Sequence, residues 1–346
     1  MNDCRIAFLV STFNMARYVE DMLDSVHQAM RTGDQLIVVD DGSTDDTYGV
    51  CFRWARRLCP EASISSLPNL GVCASRNAAL AQASADYVLF LDGDDQIDPA
   101  AVSEARALLP HLRPDILEFD FQYWTTDEKR ETIHASTPKS HHAGSLIENK
   151  DEILCNTLQD RAWALWGRMI SHRLLYTQGK PLFPAELTID DLPTTPRIAA
   201  RANTLYYLQR PIIRYRSAPN SLSRQRSARH CLDISRATNF ALQEIHFEEQ
   251  SNAVKKAIRI WIGRTFYEAL RMASQSPQCN IELFIRIFTS AIRDNHMDAN
   301  LVIKDLLGTS NAMDKKIAKE LQRFERHPQL QSIRRLIKSR LKSRIS

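Results

Sequence analysis

Residues 35–46 read Gln35-Leu36-Ile37-Val38-Val39-Asp40-Asp41-Gly42-Ser43-Thr44-Asp45-Asp46. A short apolar, β-branched run passes abruptly into acids, a glycine and hydroxyl residues. Apolar on both faces and too short for a helix, Gln35–Asp40 predicts a strand buried inside a sheet. Its polar end predicts what the sheet presents to solvent at that strand's carboxyl end. The pattern recurs on either side. Arg5–Ser11 is a buried strand running into Ser11-Thr12-Phe13-Asn14, and Tyr87–Leu91 is another running into Asp92-Gly93-Asp94-Asp95. Helical spacing of Val19, Met22, Leu23 and Val26 predicts a helix over Ala16–Met30. Further helices are predicted at Thr44–Leu58 (Ser43 as N-cap), Val72–Ala83 and Pro99–Leu109, with strands at Ala62–Leu67 and Asp115–Tyr123. Strand–helix alternation of this kind gives an α/β fold, a mostly parallel sheet with helices on both faces.

The chain has 346 residues, enough for two domains. With 44% hydrophobic and 25% charged residues it can build a core, which excludes disorder for most of its length. No run of 18 apolar residues predicts a membrane span, and Ile6–Val10 is too short for a signal-peptide core. The seven cysteines are scattered without a CxxC pair, so neither a disulfide framework nor a structural zinc site is indicated, and a reducing cytoplasm is expected. Thr125–Ser145 reads as a polar surface loop; nothing near His134, His141 and His142 completes a metal-ligand set. A hairpin is predicted around Gln209-Arg210-Pro211. Beyond Ser227 the chain is helical, and Val254, Ile258, Trp261, Ile262, Phe266 and Leu270 form one core-facing stripe.

Ligands of open α/β sheets bind at the carboxyl ends of the strands. Acids gathered at one such edge repel each other unless a cation sits between them. Mg²⁺ or Mn²⁺, which prefer carboxylate oxygens and complete their shells with water and phosphate, are the natural fillers. Plainer roles stay open: Asp40–Asp46 as a turn and helix N-terminus, Asp92–Asp95 as a turn before a helix that Pro99 starts.

Five segments together resemble the family-2, inverting glycosyltransferases of the GT-A type, which use nucleotide-sugar donors. They are Phe8–Asn14, Val38–Asp45, Asn69-Leu70-Gly71-Val72 through Ser75-Arg76-Asn77, Phe90–Asp95, and Ile189-Asp190-Asp191 with the later Tyr215-Arg216 and Asn220-Ser221. Ser11 stands where the family has Pro, Ser75 where it has Ala, and Asp190 where it often has Glu. The resemblance covers about residues 4–224 and implies a GT-A-like, Rossmann-type domain over 1–226. Residues 227–346 form a helical region outside it. The resemblance further implies that Ser11, Thr12, Asn14, Asp40, Asp41, Arg76, Asp92 and Asp94 line the nucleotide-sugar site. Ser11 and Asp41 would hold the base; a carboxylate accepting the uracil imide favours UDP. Arg76 would face the phosphates or support the loop. Asp94 and Asp95, assisted by Asp92, would hold Mg²⁺ or Mn²⁺. Asp191 would be the general base, with Asp190 in reserve; both could instead cap the helix predicted at Leu192–Ala202. The implied setting is bacterial surface-polysaccharide or lipopolysaccharide assembly, with a glycan or lipid-linked acceptor.

Trp163 and Trp166 suit either stacking on an acceptor sugar or core packing. Arg214 and Arg216 could approach a diphosphate or pair at the surface. From Lys315 onward there are 11 Lys/Arg against 2 Glu, so the tail carries +9 and the rest −5. Ile333, Leu336, Ile337 and Leu341 fall on one side of a basic helix suited to anionic lipid, which would place the protein at the inner face of the plasma membrane. A solvated face or a homo-oligomer contact is the alternative, and no nucleic-acid partner is expected. Two other functions stay open. A nucleotidyltransferase lacks support because no Gly-rich triphosphate loop follows the first strand. A membrane-bound scaffold would be expected to have lost the metal acids, which are present.

Overall fold

The computed structural model describes residues 4–127, 130–135, 142–161, 163–176, 179–216, 228–273, 292–293 and 297–326. The chain divides into two compact units, Met1–Ser221 and Leu222–Ser346. The first unit runs β1 (Ile6–Thr12), α1 (Val19–Ala29), β2 (Gln35–Asp40), α2 (Thr47–Leu58), β3 (Ser63–Ser66), α3 (Val72–Leu80), β4 (Tyr87–Asp92), β5 (Gln96–Ile97), α4 (Pro99–Leu112), β6 (Ile116–Asp127), β7 (Arg130–Ala135), β8 (Leu146–Ile147), α5 (Lys150–Asp160), β9 (Arg168–Ser171), α6 (Asp191–Arg201) and β10 (Leu205–Arg216). The sheet order is β3-β2-β1-β4-β9-β6-β10-β5. β1 is parallel to both β2 and β4, β2 to β3, and β10 to β6, while β9 runs antiparallel between β4 and β6. The expected α/β class, a mostly parallel sheet flanked by helices, is the fold observed.

The buried runs explain the sheet's centre. Ile6 through Val10 and Val88 through Leu91 are at most 1% exposed, because helices cover both faces. α1 turns Val19, Met22, Leu23 and Val26 inward, as their spacing predicts. A buried ion pair ties this layer to α4. Arg106 donates to both oxygens of Asp34 at 3.0 and 2.5 Å, and Asp34 also accepts from the Ile6 and Arg31 backbone N–H groups, each at 2.8 Å.

Three expectations are corrected. Residues 125–145 are not simply a loop: β6 runs on to Asp127 and pairs antiparallel with β7, Trp124 opposite Ile133 and Thr125 opposite Thr132. Aromatic and β-branched residues favour that pairing despite the polar composition. His141 lies outside the described residues. Gln209-Arg210-Pro211 is not a hairpin; β10 continues through it, with register shifts on both sides of Pro211. A bulge accommodates the residue that cannot donate to the ladder. Finally, α2 begins at Thr47 rather than Thr44, and Ser43 does not cap it, because its hydroxyl is committed to Asp40.

In the second unit, α7 (Ala228–Ile245), α8 (Asn252–Ala273), α9 (Ala299–Leu307) and α10 (Ala312–Arg326) are helical. The α8 stripe is core as expected: Val254, Ile258, Trp261, Ile262, Phe266 and Leu270 are all buried. Val302, Ile303 and Leu306 of α9 pack with Ile317 and Ala318 of α10. Arg264 donates to both oxygens of the buried Asp314 at 2.8 Å, which satisfies a carboxylate that would otherwise be costly to bury. The expected amphipathic stretch from Ile333 to Leu341 lies outside the described residues.

Candidate active site

Strand register brings the acids together. Because β1 lies between β2 and β4, Thr12 stands opposite Asp40 on one side and Ser11 opposite Asp92 on the other. The three polar strand ends therefore share one sheet edge.

The Asp40–Asp46 turn is held by its own side chains. Asp40 is 1% exposed and accepts from the Ser43 N–H (3.0 Å), the Ser43 hydroxyl, the Thr12 hydroxyl (3.3 Å) and the Ser66 hydroxyl (3.1 Å). Asn14, at φ 54°, accepts the Thr44 N–H on its side-chain oxygen at 2.8 Å, and its own N–H donates to the Ser43 Oγ. Asp41 accepts from the Leu70 and Gly71 N–H groups at 2.7 and 2.8 Å, drawing the Asn69–Gly71 loop over the turn. Gly42 is required there: its φ is +70°, and a Cβ would stand 2.7 Å from the Asn69 nitrogen and the Leu67 oxygen. Thr12, Asn14 and Asp40 thus shape the edge. Asp41 retains acceptor capacity on its two oxygens beyond those bonds.

Asp92-Gly93-Asp94-Asp95 leaves β4 in a tight turn. A Cβ on Gly93 would meet the Thr12 methyl at 2.7 Å, so glycine lets the turn close against β1. The Arg216 N–H donates to Asp95 Oδ1 at 2.8 Å, and the Arg216 Nε to the Asp94 carbonyl at 2.9 Å. The Arg216 guanidinium lies 4.5 Å from the Tyr18 ring centroid. Surface pairing is therefore corrected for Arg216, which is buried and fastens the turn to the end of β10; Arg214 is exposed. Burial, then the neighbouring charge of Asp92, pushes the Asp94 carboxyl up to about 6, and burial with the Asp92 and Asp94 charges raises Asp95. Asp95 Oδ2 is buried with no hydrogen-bond partner among the described residues. Hard oxygen donors, an orphaned carboxylate oxygen and crowded negative charge fit a Mg²⁺-like cation. Among the described residues no three His, Cys, Asp or Glu side chains form a metal-holding group.

The Asp190-Asp191 segment comes from a distant part of the chain. Arg76 of α3 is buried, donates to Asp92 at 2.7 Å, and is ion-paired to Asp190. Arg76 thereby joins the β4 turn to the start of α6. Asp190 sits at the N-cap of α6 without a side-chain capping bond. Asp191 is the first helical residue; its Oδ1 accepts from the Leu192 N–H at 2.6 Å. Burial raises the Asp191 carboxyl above the ordinary range, opposed by its bond from Leu192 and the charge of Arg76. Sequence reasoning assigned no role to Asn77, whose side chain both donates to the Phe183 carbonyl (2.7 Å) and accepts its N–H (3.0 Å). The available signal was helical spacing: Cys73, Arg76 and Asn77 share one face of α3. Trp166 packs into an aromatic group, stacked on Tyr215 with centroids 5.2 Å apart and edge-on to Phe121 at 4.7 Å.

Residues 7–167 match the family model described as Glycosyl transferase family 2. The poly(ribitol-phosphate) beta-N-acetylglucosaminyltransferase TarS of Staphylococcus aureus (strain Mu50 / ATCC 700699) is 30% identical over 115 residues, covering 33% of this chain and 20% of TarS. Glycosyltransferase GlyA of Streptococcus pneumoniae serotype 4 is 25% identical over 229 residues, covering 64% of this chain and 32% of GlyA. This chain thus spans a fifth to a third of the length of those two relatives. Among solved structures, S. aureus TarS 1-349 in complex with UDP-GlcNAc superposes with a TM-score of 0.68 at 20% identity, covering 94% of this chain and 92% of that one. The mannosyltransferase PcManGT from Pyrobaculum calidifontis, in complex with GDP-Man and Mn²⁺, gives 0.52 at 16% identity, covering 93% and 84%. At these identities the structural likeness is one of fold.

Proposed function

Through residues 7–167 the chain belongs to glycosyl transferase family 2, and we propose that it transfers a sugar from a UDP-sugar to a hydroxyl of a glycan or lipid-linked acceptor, with inversion. One observation carries this reading. Strand register and Arg76 bring Ser11, Asp41, the Asp92–Asp95 turn and the Asp190-Asp191 segment to one sheet edge.

Ser11 and Asp41 bind the base, and Asp41 accepts the imide N–H of uracil. Asp94 and Asp95, with Asp92 assisting, are the residues that would hold Mg²⁺ or Mn²⁺. That ion's contribution is to stabilise negative charge on the departing diphosphate. Asp191 takes the proton of the attacking acceptor hydroxyl. Its raised pKa suits a base: a more basic carboxylate takes a proton more readily. Asp190 is engaged by Arg76 and is the weaker candidate. Direct attack on the anomeric carbon, opposite the leaving group, inverts that centre. The basic residues 315–346 are the proposed contact with anionic lipid, next to a lipid-linked acceptor. No helix among the described residues is long and apolar enough to cross a membrane.

The test is calorimetric titration with UDP, with and without Mn²⁺, of the wild type and an Asp94→Ala/Asp95→Ala variant, using GDP and CMP as controls. The expected result is UDP binding that Mn²⁺ strengthens in the wild type alone. Preference for GDP would move the donor class, and no nucleotide binding under any condition would overturn the reading.

A further inference from the structure

The segment that delivers Asp190 and Asp191 is irregular between Leu182 and Ile189. An irregular segment cannot place a carboxylate to within a fraction of an ångström without support. One face of α3 supplies part of that support. Asn77 closes two hydrogen bonds on the Phe183 backbone, one in each direction, across 106 positions of sequence. One turn back, the Cys73 thiol approaches the Ile189 carbonyl at 3.7 Å, and Arg76 engages Asp190. From the other side, Arg197 of α6 donates to the Leu182 carbonyl at 2.8 Å. The Phe183 ring sits edge-on to Phe90 of β4, with centroids 5.3 Å apart, so the segment's beginning is seated on the strand that ends in the acidic turn.

These contacts differ in kind. Those of Arg76 are ionic and shared with Asp92, so they respond to whatever charge occupies the site. Asn77 is neutral, and its hydrogen bonds in the described structure go to the Phe183 main chain. A side-chain amide matched to a peptide N–H and C=O acts like one rung of a β-ladder and fixes both position and orientation. We propose that Asn77 is a positioning residue for the transfer step: by clamping the Phe183 main chain it sets where Asp191 meets the acceptor hydroxyl, without contributing to nucleotide binding. This inference rests on Asp191 being the general base.

The experiment compares Asn77→Ala, Asn77→Asp and Asp191→Asn with wild type. Rates are of UDP release from UDP-GlcNAc, UDP-Glc and UDP-Gal in Mn²⁺ buffer, with water as acceptor; UDP affinity is measured by calorimetry. Amide hydrogen exchange is followed over residues 179–191. Asn77 is half-buried on a helix, where alanine is the better helix former, so folding of Asn77→Ala is expected to be retained. Asn77→Asp keeps the acceptor but sets a carboxylate against the Phe183 carbonyl. Expected results are a kcat lower by about 10–100-fold in both Asn77 variants. Donor KM and UDP affinity stay within about twofold, and exchange at Phe183 and its neighbours accelerates. Unchanged kcat in Asn77→Ala, or UDP affinity falling in parallel with kcat, would overturn the inference. The premise fails separately: full turnover by Asp191→Asn would remove the base assignment, whatever Asn77→Ala does. If Asn77→Asp misfolds, Asn77→Ala alone decides. If both misfold, Asn77 is a folding determinant and the inference is wrong.

Discussion

Removing the Arg76 cation tests the link between the acidic turn and the Asp190-Asp191 segment. Its side chain is 5% exposed and lies between Asp92, which is 33% exposed, and Asp190, which is 16% exposed. Arg76→Met keeps the length and apolar character of the stem but leaves two carboxylates without their partner. Stripping one member from a fully buried ion pair costs about 3–5 kcal/mol. Here water reaches Asp92 and, less, Asp190, so part of that cost is offset, and about 2–3 kcal/mol is expected. For a unit the size of Met1–Ser221, about 2–4 °C of Tm accompanies each kcal/mol, which gives a fall of about 4–12 °C. Thermal unfolding followed by near-ultraviolet circular dichroism reads this directly. Arg76→Lys should fall between: it keeps the charge but cannot span both carboxylates as a planar fork does. The same variant has a kinetic signature. The Arg76 charge lowers the Asp191 pKa against the larger effect of burial. Its loss should move the acid limb of turnover to higher pH. A Tm within 1 °C of wild type (the scale of ordinary replicate scatter), with an unmoved acid limb, would refute the claim that Arg76 couples the two segments.

Asp191 should show a trade between stability and activity. A carboxyl whose folded pKa lies above its unfolded value contributes stability that is present below the unfolded pKa and lost as pH rises through the folded one. Asp191→Asn should therefore unfold at higher temperature than wild type near neutral pH, a gain that disappears in acid, while turnover drops about 10²–10⁴-fold. In the wild type, turnover should rise with pH through a value above the ordinary carboxylate range of about 4, because the proposed base acts deprotonated. Arg106→Leu should cost about 3 kcal/mol in urea unfolding, since Asp34 keeps only its two backbone donors, with nucleotide affinity unchanged in the folded fraction. Gly42→Ala should cost about 1–3 kcal/mol from positive φ and backbone crowding, and should weaken UDP binding by displacing the loop that Asp41 holds.

The fold was legible in the sequence because its strongest signals are local. Ile6–Val10, Ile37–Val39 and Val88–Leu91 are apolar on both faces, and only a strand covered by helices on each side satisfies that pattern. Each run ends abruptly in polar residues, so the polar edge of the sheet could be named without coordinates. Composition misled where pairing geometry decides. The polar residues of β7 form a strand because β6 offers an edge, and Pro211 stays within β10 because a bulge absorbs it. Which polar residue bonds to which was beyond a linear reading. Asp40 and Asp41 are adjacent, yet one closes the turn on Ser43 while the other reaches Leu70 and Gly71. Arg76 meets Asp190 across more than a hundred residues, as Asn77 meets Phe183. The sequence by itself determined the residue types, the strand ends and hence the sheet edge. Tertiary structure alone decided the partners, because a hydrogen bond or ion pair depends on distance and direction between groups that chain order does not bring together.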